Sequence, residues 1–199
     1  MRILLVGASG TIGKAIAAAL RPRHDLVEAS RHKSHERVDL TDEDSIRYLY
    51  HRLGRLDAVI VAAGQAAFKP LRELTDQDFS FSLRSKLMGQ VNLVRVGVSE
   101  VHDRGSFTLT SGILSQQPAP GSSAVSLANA GVEAFVRAAA LELPRGLRIN
   151  VVSPSWVSET LRAMGRDPAG GLPAADVAQS YVESVEGTQT GAVILPTRR

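Results

Sequence analysis

The segment Gly7-Ala8-Ser9-Gly10-Thr11-Ile12-Gly13 has residue types and spacing suited to holding a phosphate. It follows an all-apolar run, Ile3-Leu4-Leu5-Val6, and opens a stretch in which Ile12, Ile16 and Leu20 recur every four residues. A pyrophosphate needs bare backbone at close approach, free N–H donors and the positive end of a helix dipole. Gly7 permits a tight turn, Gly10 removes a side chain that would block the phosphates, and Gly13 lets the helix pack on the strand. Ser9 and Thr11 add hydroxyl donors, and Ile12 completes the first turn of the helix. This strand–turn–helix context makes the glycines a dinucleotide site rather than a plain β-α turn.

The cofactor is indicated by the end of the next strand. An acidic residue about 20 positions beyond the glycines would bind a ribose 2′-hydroxyl and repel a 2′-phosphate. The chain has Ser30-Arg31-His32-Lys33 there instead. A guanidinium makes bidentate, charge-assisted contacts with phosphate, and Ser30 and His32 stand beside it. NADP(H) is therefore the expected cofactor, with NAD(H) as the alternative. Asp39 and Leu40, at the end of a short third strand, would flank the adenine. Arg21, Arg23, His24, Lys33, His35 and Arg37 make the region basic, which suits a small anionic ligand or a solvated loop.

Positioning these residues requires a regular frame, and the hydrophobic pattern supplies one. Apolar runs fit strands at Ile3–Val6, Leu26–Ala29, Arg37–Leu40, Ala58–Ala62, Phe107–Thr110, Leu147–Val152 and Ala192–Leu195. Helical patterns run from Ile12 to Leu20, from the cap at Thr41-Asp42 to Leu53, and from about Thr75 to Val101. Others span Ser122 to Leu143 and Ala174 to Val185. Alternating β and α units predict an α/β, Rossmann-type doubly wound parallel sheet of about seven strands with helices on both faces. Residues 1–199 read as a single NAD(P)-binding domain, with no linker, repeat or low-complexity segment.

Composition narrows the rest. The formal charge of +3 argues against a nucleic-acid partner, and no apolar run reads as a membrane span. The absence of cysteine excludes disulfides and thiolate metal ligands, and no metal site is expected. Met1-Arg2 enters a strand pattern at once, leaving no room for a signal peptide, so the expected location is cytoplasmic.

Taken together the chain resembles a short-chain dehydrogenase/reductase over nearly its whole length. The glycine turn, Leu56-Asp57-Ala58-Val59-Ile60-Val61-Ala62-Ala63-Gly64, Leu71–Phe79 and Arg148-Ile149-Asn150-Val151-Val152-Ser153-Pro154 carry the likeness. The family's turn is usually Gly-x-x-x-Gly-x-Gly, its fourth-strand motif Asn-Asn-Ala-Gly, and it has glycine where Ser155 stands. The resemblance implies that Ala62, Ala63 and Gly64 border the cofactor. It also implies that Pro154, Val157 and Thr160 belong to the loop holding the nicotinamide carboxamide, with Leu161 to Gly171 as a small lid. It further implies a small-molecule substrate and a homodimer or homotetramer paired through the two long helices.

Family members carry Tyr-x-x-x-Lys on the helix after the fifth strand, the tyrosine exchanging a proton and the lysine lowering its pKa and binding the ribose. Aligning Asn129-Ala130-Gly131-Val132-Glu133-Ala134-Phe135 with the family's motif places Asn129 at the lysine and Val125 at the tyrosine. Ser111 matches the family's substrate-orienting serine, with Gly112 competing for the position. Lys86 stands where the family has a structural asparagine; it is either a replacement donor or a helix-surface lysine. Ser122 and Ser123 fit a substrate contact or an N-cap equally well. Two functions are compatible with these residues: an NADP(H)-dependent oxidoreductase with a non-standard site, or a cofactor-binding regulator or scaffold without turnover.

Overall fold

The computed structural model describes all 199 residues. Seven parallel strands form one sheet in the order β3-β2-β1-β4-β5-β6-β7. They are β1 (Arg2–Val6), β2 (Asp25–Ser30), β3 (Glu36–Arg37), β4 (Leu56–Val61), β5 (Val101–Thr110), β6 (Arg148–Val152) and β7 (Val193–Ile194). The strand order reverses between β1 and β4, so a crevice opens beyond their carboxyl ends, where doubly wound sheets bind ligands.

The helices are α1 (Thr11–Leu20), α2 (Glu43–Leu53), α3 (Asp76–Ser82), α4 (Gly89–Gly97), α5 (Ser123–Glu142), α6 (Ser158–Ala163) and α7 (Ala174–Glu186). Alternate residues of β1 divide between two cores, as the two-residue period of a strand requires. Ile3 and Leu5 pack with Ile16 and Leu20 of α1 and Val177 and Tyr181 of α7. Leu4 and Val6 pack on the other side with Ile46 of α2, Leu93 of α4 and Val132 and Val136 of α5. Both faces of the sheet are covered, which is why β1 and β4 are almost uniformly apolar.

The structure departs from the sequence expectation in places that bear on the site. The long helical region is not uniform: a π-helical segment, Leu83–Met88, separates α3 from α4, and the helix ends at Gly97. Val101 belongs to β5, which starts six residues earlier than its apolar run implies. Polar His102–Gly105 and a register irregularity opposite Leu56/Ala58 hide that beginning. β3 is cut to two residues, leaving Val38 and Leu40 buried beyond it. Asp42, rather than Thr41, caps α2 by accepting from the Asp44 N–H at 3.0 Å. By length and composition α5 is apolar enough to cross a membrane, contrary to the reading of short apolar runs. Its buried face includes Ala128, Val132 and Val136, and the two valines pack into the core.

Candidate functional site

The glycine turn stands at the head of the crevice, and three constraints shape it. Gly7 adopts φ +91°, and a Cβ there would lie 2.4 Å from the Ala62 carbonyl oxygen of the neighbouring β4 turn. A Cβ on Gly13 would lie 2.1 Å from the Gly7 oxygen, so this residue lets α1 start hard against the strand. Gly10 differs from both. Its Cβ would lie 3.3 Å from the Gly7 oxygen, a tight contact but a much milder one than at Gly7 or Gly13. Gly10 is the N-cap of α1, with no side chain capping the first-turn N–H groups and no acid in that turn, which leaves donors and dipole free for an anion.

A cavity of about 360 Å³ opens beside this turn. Its walls bring together Gly7, Ser9 and Gly10 from the turn, Ser30, Arg31 and His32 from the end of β2, Asp39 and Leu40 beyond β3, and Ala62, Ala63 and Gly64 beyond β4. Thr11 and Gly13 do not line it: Thr11 is exposed, and Gly13 is buried against the Gly7 backbone. Ile12 faces a second cavity.

Arg31 pairs with Asp39 at 2.9 Å across the cavity. Burial opposes the charged form of Asp39, but hydrogen bonds from the Thr41 N–H and hydroxyl and the Arg31 charge outweigh it, holding the carboxyl below its ordinary range. The guanidinium is thus stationed at the site, exposed enough to receive a further anion. Ser30 also lines the cavity and shapes it. Its hydroxyl accepts from the Lys33 and Ser34 N–H groups at 3.0 and 2.8 Å, which folds the basic loop around the cavity.

The second cavity, about 190 Å³, lies at the far end of the crevice. Lys86, Ser111, Gly112, Val125, Asn129, Pro154, Val157 and Thr160 all line it, so residues from four separate segments of the sequence converge here. No tyrosine lines either cavity. Tyr50 and Tyr181 are buried in the two cores, and Tyr48 is exposed.

Lys86 belongs to the π-helical segment, and its ammonium makes no hydrogen bond or ion pair. Desolvation pulls its ammonium down from 10.5 to about 8. Its backbone is held on two sides. Gly64, at φ +123°, leaves no room for a Cβ, which would lie 2.9 Å from the Lys86 Cα. Buried Gln90 donates to the Lys86 carbonyl at 2.8 Å and the Thr110 carbonyl at 2.9 Å, while accepting from the Thr110 N–H. Asn129, only 2 % exposed, donates from Nδ2 to the Gly112 carbonyl, and its Oδ1 has no partner. The unpartnered Asn129 acceptor and the unpaired Lys86 ammonium thus belong to residues lining the same cavity.

Ser111 lines the cavity with its hydroxyl proton engaged. Its hydroxyl donates to Glu133 Oε1 at 2.8 Å, and the hydroxyls of Ser115 and Ser153 reach the same oxygen at 2.6 and 3.2 Å. Glu133 is a buried carboxylate that ties the ends of β5 and β6 to the turn between them. Sequence reasoning missed it. The signal was a lone acid on the apolar face of α5, four residues past Asn129 and so one turn along the same face. Ser122 likewise spends its hydroxyl locally, accepting from the Ala119 N–H at 3.0 Å and from the Ser126 hydroxyl at 3.0 Å.

A family model described as enoyl-(acyl carrier protein) reductase matches residues 13–194. Cis-4-hydroxycyclohexanecarboxylate dehydrogenase of Sinomonas cyclohexanicum is 31 % identical over 86 % of this chain and 76 % of its own length. Hydroxynaphthalene reductase arp2 of Aspergillus fumigatus is 28 % identical over 60 % of this chain, a stretch covering 44 % of that protein. Among solved structures, the protein lin1944 of Listeria innocua superposes with a TM-score of 0.95 at 42 % identity, covering 98 % of both chains. A small-chain dehydrogenase in complex with NADPH gives 0.86 at 25 % identity, covering 98 % of this chain and 95 % of that one. The chain belongs to the short-chain dehydrogenase/reductase family of NAD(P)(H)-binding oxidoreductases.

Proposed function

We propose that the protein is an NADP(H)-dependent oxidoreductase that interconverts a small carbonyl compound and its alcohol, with the Lys86 ammonium in the proton-donating role. The observation that carries this reading is the unpaired Lys86 ammonium, whose residue lines the same cavity as Asn129 with its orphaned Oδ1. Arg31 at the end of β2 supports the phosphorylated cofactor, as does the NADPH bound by the related small-chain dehydrogenase. NADPH, when bound, supplies the hydride. Gly7, Ser9 and Gly10 would take its pyrophosphate, Arg31 and His32 its 2′-phosphate, and Pro154, Val157 and Thr160 its carboxamide end.

With no tyrosine at Val125 and no lysine at Asn129, proton transfer needs another donor. Lys86 would give a proton from Nζ to the carbonyl oxygen and become a neutral amine, which solvent reprotonates. A donor titrating near 8 is matched to that task at neutral pH. Asn129 Oδ1 would accept from the ammonium or from a ribose hydroxyl, keeping Nζ directed into the cavity.

The second reading is a cofactor-binding regulator or scaffold without turnover. The engagement of the Ser111 hydroxyl proton by Glu133 favours it. Titration with NADPH and NADH, then single-turnover hydride transfer to a panel of small aldehydes and ketones, separates the two. Tight NADPH binding with no transfer to any carbonyl would overturn the enzymatic reading. The double variant Val125→Tyr/Asn129→Lys tests the alignment, which predicts a gain of reductase activity.

We also infer pairing of protomers through α4 and α5. A groove between these helices is lined by Val94, Val98, Phe135 and Leu143, and α5 also carries the almost fully exposed Leu141.

A further inference from the structure

The mouth of the second cavity has a chemistry that the cofactor does not account for. Apart from Lys86 the cavity lining carries no charge, and Ile113, Leu114, Val125, Trp156 and Val157 form its apolar wall. Trp156 is the aromatic part of that wall. Phe68 meets it edge-to-face at 6.4 Å, with the rings 69° apart. Phe68 is itself seated against Gly121, where a Cβ would lie 3.1 Å from its ring, and the Lys69 N–H donates to the Gly121 carbonyl beside it.

An exposed cation stands over that tryptophan. The Arg166 guanidinium lies 5.1 Å from the centroid of the Trp156 ring. Its backbone is anchored by an N–H donated to the carbonyl of buried Leu161. Neither Arg166 nor Arg162 forms an ion pair, although two acids lie in the same segment. Both acids are used as caps instead. Glu159 accepts from the Ala174 N–H with both oxygens, and Asp167 accepts from the Ala169 N–H. The lid therefore turns its carboxylates into the backbone and leaves its guanidiniums without counter-charge.

We propose that the substrate is a compact cyclic carbonyl compound bearing a carboxylate, its ring against Trp156 and its carboxylate on Arg166. The flat indole suits a ring, and the guanidinium fork matches two coplanar carboxylate oxygens. This rests on the reading of the site as a carbonyl reductase and specifies its substrate class.

The test uses the full chain loaded with NADP(H) and matched probes: 4-formylbenzoate, its uncharged methyl ester, and 4-formylphenyl phosphate as the other oxyanion source. The expected result is at least about a tenfold preference for 4-formylbenzoate over the ester in binding measured by calorimetry. The same preference should appear in kcat/KM. Arg166→Ala should bring that ratio close to one, Arg166→Lys should leave an intermediate value, and Trp156→Phe should retain most of it. Equal or better binding of the ester by the unmodified protein would overturn the proposal. So would an Arg166→Ala variant that keeps the ratio and loses NADPH affinity instead, and a clear preference for the phosphate would move the class from carboxylate to phosphate ester. Because binding is read apart from turnover, preferential binding of 4-formylbenzoate without reduction would uphold the ligand class and sink the catalytic reading.

Discussion

Consider Lys86→Met, which keeps a side chain of similar length and deletes its charge. The ammonium titrates near 8 in the folded protein against 10.5 ordinarily, because burial penalises the charged form. Between those values the unfolded chain holds a proton that the folded one has released, so the native state gains stability as pH rises through that window. Below it the native state carries the whole cost, which the difference puts at about 3 kcal/mol. Water in the open cavity makes this an upper bound, so the variant should be more stable than the wild type by about 1–3 kcal/mol near neutral pH. Urea unfolding of both proteins at about pH 7 and about pH 9.5 measures it, and the gain should shrink at the higher pH. Single-turnover hydride transfer should meanwhile fall by roughly a hundredfold or more, the share general acid catalysis usually supplies. In the wild type the rate of reduction should decline above pH 8 as the donor loses its proton. A stability gain that is independent of pH would refute the desolvated ammonium, and a gain with unchanged hydride transfer would remove Lys86 from the mechanism.

Arg31→Ala should weaken NADPH binding about 10- to 100-fold and change NADH binding little, since one charge-assisted contact is worth about 1.5–3 kcal/mol; equal losses for both would contradict the assignment. Asp39→Asn, which releases Arg31 from its 2.9 Å pair, should raise NADPH affinity in the same titration. Glu133→Ala leaves three hydroxyls without their acceptor and should cost about 3–5 kcal/mol in urea unfolding, whereas Glu133→Gln keeps an acceptor oxygen and should cost much less. Light scattering should show an oligomer that Leu141→Arg weakens, and a monomer at all concentrations would reject pairing through α4 and α5.

The cofactor end was legible because backbone builds it. A tight turn, a close approach and an open helix start each demand glycine, and a demand of that kind leaves its mark at fixed spacing: Gly7 and Gly13 are dictated by carbonyls 2.4 and 2.1 Å from a Cβ. The all-apolar strands were equally plain, because both faces of the sheet are covered. The features that escaped were decided by contacts distant in sequence. Ser111 reads as a free strand-end hydroxyl until folding brings Glu133, 22 residues on, to within hydrogen-bond reach. The start of β5 is polar and bulged, so neither a two-residue period nor an apolar run announces it. Trp156 and Arg166 are ten residues apart in a loop with no periodicity at all, and only the lid's path stacks them.

Lys86 joins these two kinds of information. Its residue type was visible, but an undisturbed helix from Thr75 to Val101 allows it to be a surface lysine. A π turn inserts one residue and so rotates α4 by about 100° relative to α3. Such an insertion weakens the local hydrogen-bond ladder and needs outside support. Gln90 supplies it from the interior, bonding at once to the Lys86 carbonyl and to both backbone groups of Thr110 at the end of β5. Gly64 permits the approach from the other side. A buried glutamine, a left-handed glycine and a distorted helix thus converge on one backbone position whose side chain is an unpaired, desolvated ammonium. Each of the three carries a cost in an ordinary fold. They are intelligible together if the position of that ammonium at the end of the cofactor crevice is what they maintain.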